Sequence, residues 1–285
     1  MDAFARLHPG MIFIYYVMGI FLMVWIGHPA LSAWIWLMSL IDYGCMEGGK
    51  KLLRTALISL SAALACLLIN PILNRRGVTL LFVIGRFRIT EESVLYGANI
   101  AVILLASLMI FTGISHYMSA EKIMILFGRR FPSLALLFSM ILRMIPKAGH
   151  DFSEMTSRHG NTPAVWSALI GFLLEDSMER SIAMRNRQYG RGNRSSYYAR
   201  PFQKEDVVLL ICMALLVFPA MGYLSIHPLS VRFFPSVRMG TMPFAVWGLL
   251  GVFYAIPLLW RGKDELQWYL SRRKITDSGI RTKPL

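Results

Sequence analysis

Two arginines stand near the ends of two long helical patterns, in Ser157-Arg158-His159-Gly160 and in Asn186-Arg187-Gln188-Tyr189-Gly190. The planar guanidinium of arginine makes bidentate, charge-assisted hydrogen bonds to carboxylates. An apolar helix face beside it can seat in a groove of another protein. These residues could therefore dock a partner, or serve only as cations favoured at helix C-termini by the macrodipole. A second constellation is Glu175-Asp176-Ser177-Met178-Glu179-Arg180. Adjacent carboxylates can hold a metal or activate a water, but Asp176 and Arg180 also have the spacing of an ordinary i,i+4 helix pair. The six histidines form neither HExxH nor an i,i+4 pair, so no metal site is expected. Cys45, Cys66 and Cys212 show no CxxC spacing and read as small apolar core residues. There is no GxxxxGK[ST], so the chain does not hold a nucleotide by a P-loop, and no cofactor is expected.

The elements that must carry the arginines are legible in the pattern. Pro132 can open a helix, because proline's missing N–H costs nothing in the first turn. From there Leu134, Leu137, Phe138, Ile141, Leu142 and Ile145 recur at three- and four-residue steps, an amphipathic signal. Pro146 is expected to kink this helix, and Gly160 to cap it. Thr162 as N-cap and Pro163 at the first helical position begin a second helix, through Trp166, Leu169, Ile170, Leu173 and Leu174. Tyr189-Gly190-Arg191-Gly192 ends it. Pro146, Gly160 and Pro163 are the expected hinges. Leu137, Ile141, Trp166, Ile170 and Leu173 are the expected contact surface for a membrane partner.

The rest of the chain is membrane-like. Of its 285 residues 55% are hydrophobic and 16% charged, where soluble domains run near about 25% charged. The apolar residues are gathered in blocks, and a bilayer needs roughly 20 apolar residues per helical crossing. Six spans are expected, at 11–26, 29–44, 55–73, 96–115, 206–226 and 242–260, the first two as a tilted hairpin about Gly27-His28-Pro29. The first is read as an uncleaved helix rather than a leader. Gly44-x-x-x-Gly48 matches a helix-contact motif but reads as a turn at a span end.

The net charge of +14 then follows from the positive-inside bias rather than from nucleic-acid binding. With a cytoplasmic N-terminus, 24 of the 30 Lys and Arg lie inside and 6 outside, and leaving out the long 119–204 segment keeps 11 against 6. Both termini are expected in the cytoplasm. The domain reading is an N-terminal transmembrane region (1–115), a cytoplasmic helical region (116–205), a C-terminal transmembrane pair (206–260) and a basic tail (261–285). The tail's Arg272-Arg273-Lys274 is an anchor near anionic lipid. The fold class is all-α, a polytopic membrane protein of about six transmembrane helices with two long amphipathic cytoplasmic helices.

Several motifs together resemble the transmembrane coupling subunit (T component) of energy-coupling factor (ECF) transporters, including the related cobalt and nickel permease subunits. They are His8-Pro9, Ile69-Asn70-Pro71, Arg88-Ile89-Thr90-Glu91-Glu92 before Tyr96-Gly97, Arg143-Met144-Ile145-Pro146, and the two arginine-ended helices. The resemblance spans about residues 6–200. In that family each of the paired helices ends in Ala-Arg-Gly. The first copy corresponds to Ser157-Arg158-His159 and the second to Asn186-Arg187-Gln188, so the arginines match and their neighbours differ. His8 stands where the family has Asp.

The resemblance implies a non-catalytic subunit of an ABC-type importer of vitamins or metal ions, in a bacterial cell membrane. Its arginines would dock onto two ABC ATPase subunits. Its apolar helix faces would hold a substrate-binding membrane (S) subunit. The lipid bilayer is the remaining partner, and no nucleic acid is implied. Two other readings stand beside it. Glu175 to Arg180 approaches the Glu-Glu-x-x-x-Arg pattern of CAAX-type intramembrane proteases, with Asp176 for the second Glu. Such an enzyme needs polar residues on later spans, and spans five and six offer only Asp206 at an edge, with His227 in the following loop. The other is a membrane scaffold without an ATPase partner.

Overall fold

The computed structural model describes residues 4–74, 77, 79–84, 87–128, 130–189, 202–227, 231, 233, 237 and 240–277. After a short 3-10 turn at Phe4–Arg6, the described elements in chain order are α1 (Pro9–Ile26), α2 (Pro29–Glu47), α3 (Gly49–Leu73), β1 (Leu80–Ile84), β2 (Phe87–Thr90), α4 (Glu91–Tyr117), α5 (Ala120–Gly128), α6 (Pro132–His159), α7 (Pro163–Asn186), α8 (Lys204–Ile226) and α9 (Phe244–Asp277). They divide into two compact units, Met1–Ser119 with Phe202–Leu285, and Ala120–Pro201.

In the first unit α1, α3, α4, α8 and the Phe244–Arg273 part of α9 are each long and apolar enough to cross a membrane. The chain is a helical, multi-pass membrane protein. Its outer surface fits hydrocarbon rather than water: Leu57, Leu64 and Leu68 on α3, and Val208, Leu215 and Phe218 on α8, are all more than half exposed. Contiguous apolar surface of that extent is normally covered. The second helix is the exception among the expected spans. Ser32, Trp34, Trp36, Ser39, Asp42 and Tyr43 dilute its apolar character, and it is not one of the five.

The expected hairpin of the first two helices is not how they pack. Gly27 ends α1 in the left-handed conformation, and α1 then packs mainly on α4 and α8, while α2 packs on α4, α9 and α3. Each apolar stripe is covered by a helix distant in sequence. Gly44 lies inside α2, where a Cβ would stand 2.9 Å from a Leu52 methyl, so it admits α3, and the turn belongs to Gly48 alone.

Three further differences have local causes. An antiparallel hairpin, β1 with β2, lies in the loop between α3 and α4, pairing Val83 with Arg88 and Ile84 with Phe87. Its signal was the Leu80–Ile84 run of β-formers before Gly85-Arg86. Helix α4 begins at Glu91 rather than 96, because Thr90 caps it by accepting from the Ser93 N–H at 3.3 Å, with Glu91 and Glu92 favoured in the first turn. Helix α9 does not stop at Trp260 but runs to Asp277, since Arg261 to Leu266 holds no proline and its one glycine, Gly262, costs a helix interior only about 1 kcal/mol. The boundary between span and tail therefore falls within one helix. The cysteines are not core residues: Cys45 and Cys212 are exposed and Cys66 is half-buried.

In the second unit, α5 packs on α6 and α6 on α7. Lys147 of α6 meets Asp176 and Phe172 of α7, and Phe152 of α6 meets Trp166 of α7. Position rises along α6 as it falls along α7, so the two helices form an antiparallel hairpin.

Candidate functional site

The arginine-ended hairpin is built from one amphipathic helix and one that is apolar on two sides. Helix α6 is continuous from Pro132 to His159, with Pro146 inside it. The kink expected at Pro146 concerns the helix axis, and the helical run itself is unbroken. Proline removes one N–H and crowds the preceding turn, but the packing of α6 on α7 keeps the helix whole on both sides of it. Gly160 ends it with φ 70° and ψ 172°, a region almost confined to glycine, and its N–H donates to the Thr156 carbonyl at 2.9 Å. Thr162 stands at the N-cap of α7 without a side-chain capping bond, and Pro163 takes the first turn. Pro163 and Gly160 thus flank a short elbow.

Helix α7 buries Val165 and Leu169 and half-buries Leu173, Asp176 and Arg180 along one stripe. On its other side Trp166, Ile170, Leu174, Met178 and Ile182 are exposed. The expectation of two amphipathic helices therefore holds for α6 only. Of the five expected contact residues, Leu137, Ile141, Trp166 and Ile170 are exposed, whereas Leu173 lies half-buried on the stripe shared with Leu169. The Trp166 indole N–H donates to Asn161 Oδ1 at 3.0 Å, fixing the ring beside the elbow.

The hairpin is clasped by a cation–carboxylate set. Lys147 Nζ lies 3.1 Å from Asp176 Oδ1, and Arg180 lies 2.7 Å from Asp176 Oδ2. The Lys147 hydrogen bond and the Arg180 charge hold the Asp176 carboxyl below its ordinary value. The i,i+4 pair of Asp176 with Arg180 is thus present, and Lys147 adds an interhelical contact that the sequence did not reveal. Glu175 is exposed on a neighbouring face of α7. In this unit the two adjacent carboxylates do not converge on a common point.

The two arginines end their helices differently. Arg158 is 69% exposed at its side chain and pairs with Glu154 at 2.6 Å, one turn back. Ser157 Oγ donates to the Glu154 carbonyl at 2.7 Å, and His159 is exposed in the last helical position. The glycine-type conformation falls one residue later, at Gly160. Arg187 is the C-cap of α7, its N–H donating toward the Ala183 and Arg185 carbonyls. It is exposed and has no carboxylate partner among the described residues. Asn186 closes the helix, and Gln188 has φ 54°. That left-handed backbone is where the Ala-Arg-Gly pattern puts glycine, held here by a side chain at a cost of about 1 kcal/mol or more. Gly190, Arg191 and Gly192 lie outside the described residues.

Because the helices are antiparallel, Arg158 sits at the elbow and Arg187 at the far end of α7. At 1.5 Å per residue the 24 residues of α7 separate them by about 36 Å. One small pocket cannot hold both. Each can reach its own acceptor site.

The membrane unit contains a buried polar set, Asp42 with Tyr117 and Arg261, that sequence reasoning passed over. Tyr117, the last residue of α4, donates its hydroxyl to Asp42 Oδ2 at 3.1 Å. Arg261 of α9 donates to the Asp42 carbonyl and to Tyr117 Oη, both at 3.2 Å, with 3.7 Å to Asp42 Oδ1. All three side chains are buried. The available signal was a lone carboxylate within an apolar block. Asp206, at 2% exposure, accepts from the His8 N–H at 2.8 Å and the Gln203 N–H at 2.9 Å, joining the starts of α1 and α8. His8 caps α1 itself, its Nδ1 accepting from the Gly10 N–H at 3.1 Å, and stacks on Phe202. An imidazole thus does here the capping work that aspartate, asparagine or serine does more often. Asn70 and Gly97 also meet: a Cβ on Gly97 would stand 3.3 Å from that of Asn70.

No protein-family model matches the chain, and no curated protein matches its sequence.

Proposed function

We propose that this protein is the transmembrane coupling subunit of an ECF-type ABC importer. The observation that carries the reading is the pair of exposed arginines about 36 Å apart at opposite ends of one helix hairpin. A rod with a cationic tip at each end suits two acceptor sites on two subunits, as a pair of ATPases would present. ATP-driven closure would change the distance between those sites. Helices that remain unbroken, as α6 does through Pro146, pass displacement on rather than absorb it. The exposed Leu137, Ile141, Trp166 and Ile170 would pass it to a substrate-binding membrane subunit, with the Gly160–Pro163 elbow as the hinge. The change is a two-state one biased by nucleotide in the partners.

In this reading α2 is a sixth span, supported against its neighbours α4 and α9, and both termini are cytoplasmic by the distribution of Lys and Arg. The subunit itself makes and breaks no covalent bond. The imported solute is a vitamin or a metal ion, selected by the S subunit.

The test is co-purification in mild detergent from the native membrane. Arg158→Glu with Arg187→Glu is expected to abolish recovery of ATPase subunits, while the variant remains in the membrane at the native level. Recovery unchanged by the double reversal of charge overturns the docking role.

A further inference from the structure

Helices α5 and α6 enclose an apolar groove of about 330 Å³, at the lower end of the roughly 300–1,000 Å³ usual for ligand clefts. Ile123, Met124 and Phe127 line it from α5, and Leu134, Phe138 and Leu142 from α6, with no polar side chain in its wall. Phe127, Phe131, Leu134 and Phe138 are 46–54% exposed. Two observations say what covers it. Only Met118 and Ser119 connect α5 to α4, a membrane-spanning helix, so the chain keeps the groove within a few residues of the bilayer surface. Between Ala120 and Met144 the sequence carries Lys122, Arg129, Arg130 and Arg143 against a single carboxylate, Glu121. Apolar surface joined to cationic residues is the composition of segments that lie in an anionic membrane interface.

We propose that the α5–α6 groove holds an acyl chain of an anionic membrane phospholipid, with the exposed Arg130, next to the groove-lining Phe131, at its headgroup. The groove thereby holds the start of α6 at the membrane surface. A free phosphate or a soluble anion would leave the apolar wall uncovered, which is why the lipid is the occupant. The inference does not depend on the coupling reading, since it concerns only α5 and the first half of α6.

The test uses the full-length chain reconstituted in vesicles of phosphatidylcholine with or without phosphatidylglycerol. Each preparation carries a trace of phosphatidylglycerol or phosphatidylcholine with a photoreactive diazirine at its acyl-chain end. Adducts are mapped by mass spectrometry and referred to those on the exposed Leu57 and Leu64 of α3. Adducts are expected on Phe127, Leu134 and Phe138, more with the anionic probe. Ala135→Trp, which fills the groove from its wall, is expected to lower them severalfold while the α3 adducts stay constant. Arg130→Glu is expected to remove the preference for the anionic probe. Labelling of α3 without labelling of the groove overturns the proposal, as does groove labelling unaffected by Ala135→Trp. A preference that survives this charge reversal overturns the headgroup assignment. A chain-to-chain disulfide through Phe127→Cys, formed with Cys45, Cys66 and Cys212 replaced by Ser, would put a second copy in the groove and likewise overturn it.

Discussion

Asp42 with Tyr117 and Arg261 in the membrane unit, and Asp176 with Lys147 and Arg180 in the helix hairpin, are two versions of one device. Each places a carboxylate between cationic or hydroxyl donors and links separate helices, distant in sequence in the first set and consecutive in the second. They differ in burial. The Asp42 set is almost entirely removed from solvent, whereas Lys147 of the Asp176 set keeps 42% of its side chain exposed. Removing one member of a buried set leaves the others charged in a poor solvent, while water fills the gap in an exposed one. The same chemistry therefore fixes one unit firmly and ties the other only loosely.

The largest effect expected from this contrast is at Asp42. Asp42→Ala strands Arg261 and is expected to cost about 3–5 kcal/mol, read as a thermal midpoint lowered by many degrees in detergent. A midpoint equal to that of the native chain would show that the set does not hold the unit. Asp42→Asn keeps an acceptor for Tyr117 and is expected to lose less.

Next come the two helix ends. Gly160→Ala places a side chain in a backbone region that excludes it and should cost about 1–3 kcal/mol. Gln188→Gly relieves a left-handed φ and should stabilise by about 0.5–1 kcal/mol, less the extra freedom that glycine brings to the unfolded chain. Opposite signs at the two positions, measured by thermal unfolding, would sharpen the comparison of the ends. Equal signs would break it.

The smallest effect is at Asp176. Asp176→Asn is expected to change overall stability little, and to loosen α6 from α7 by an amount that falls as salt is added. The pH response has a defined sign. The Asp176 carboxyl is held low by Lys147 first and Arg180 after it, so its contribution is complete above the unfolded value of about 3.9 and is lost as pH falls through the lower folded value. The distance between spin labels on α6 and α7 should stay constant from neutral pH to about 5 and spread only in stronger acid. Spreading near neutrality would assign the clasp to other groups.

Much of this was legible in the chain itself. Helix starts at Pro9, Pro29, Pro132 and Pro163 announce themselves, because proline is tolerated in the first turn and few other places. The i,i+4 pairing of Asp176 with Arg180 followed from helical spacing alone. The β1–β2 hairpin had a signal too, but a short apolar run beside two long apolar helices does not stand out from the loop that joins them. The fates of Pro146 and Leu173 were not legible. Whether a proline breaks a helix depends on what packs on either side of it, and which apolar residue is buried depends on where the partner helix lies.

By itself, then, the sequence determined what each segment could become: apolar length set the membrane helices, charge distribution favoured an orientation, and glycine, proline and arginine marked where α6 and α7 end. Those properties are local, resting on backbone geometry and transfer from water, and each can be read within a few turns of helix. Tertiary structure decided which residues meet. Asp42 with Arg261 and His8 with Asp206 lie 219 and 198 positions apart, and no local preference selects either pair. Only the packing of whole helices, driven by burial and by the cost of leaving a charge without a partner, brings them together.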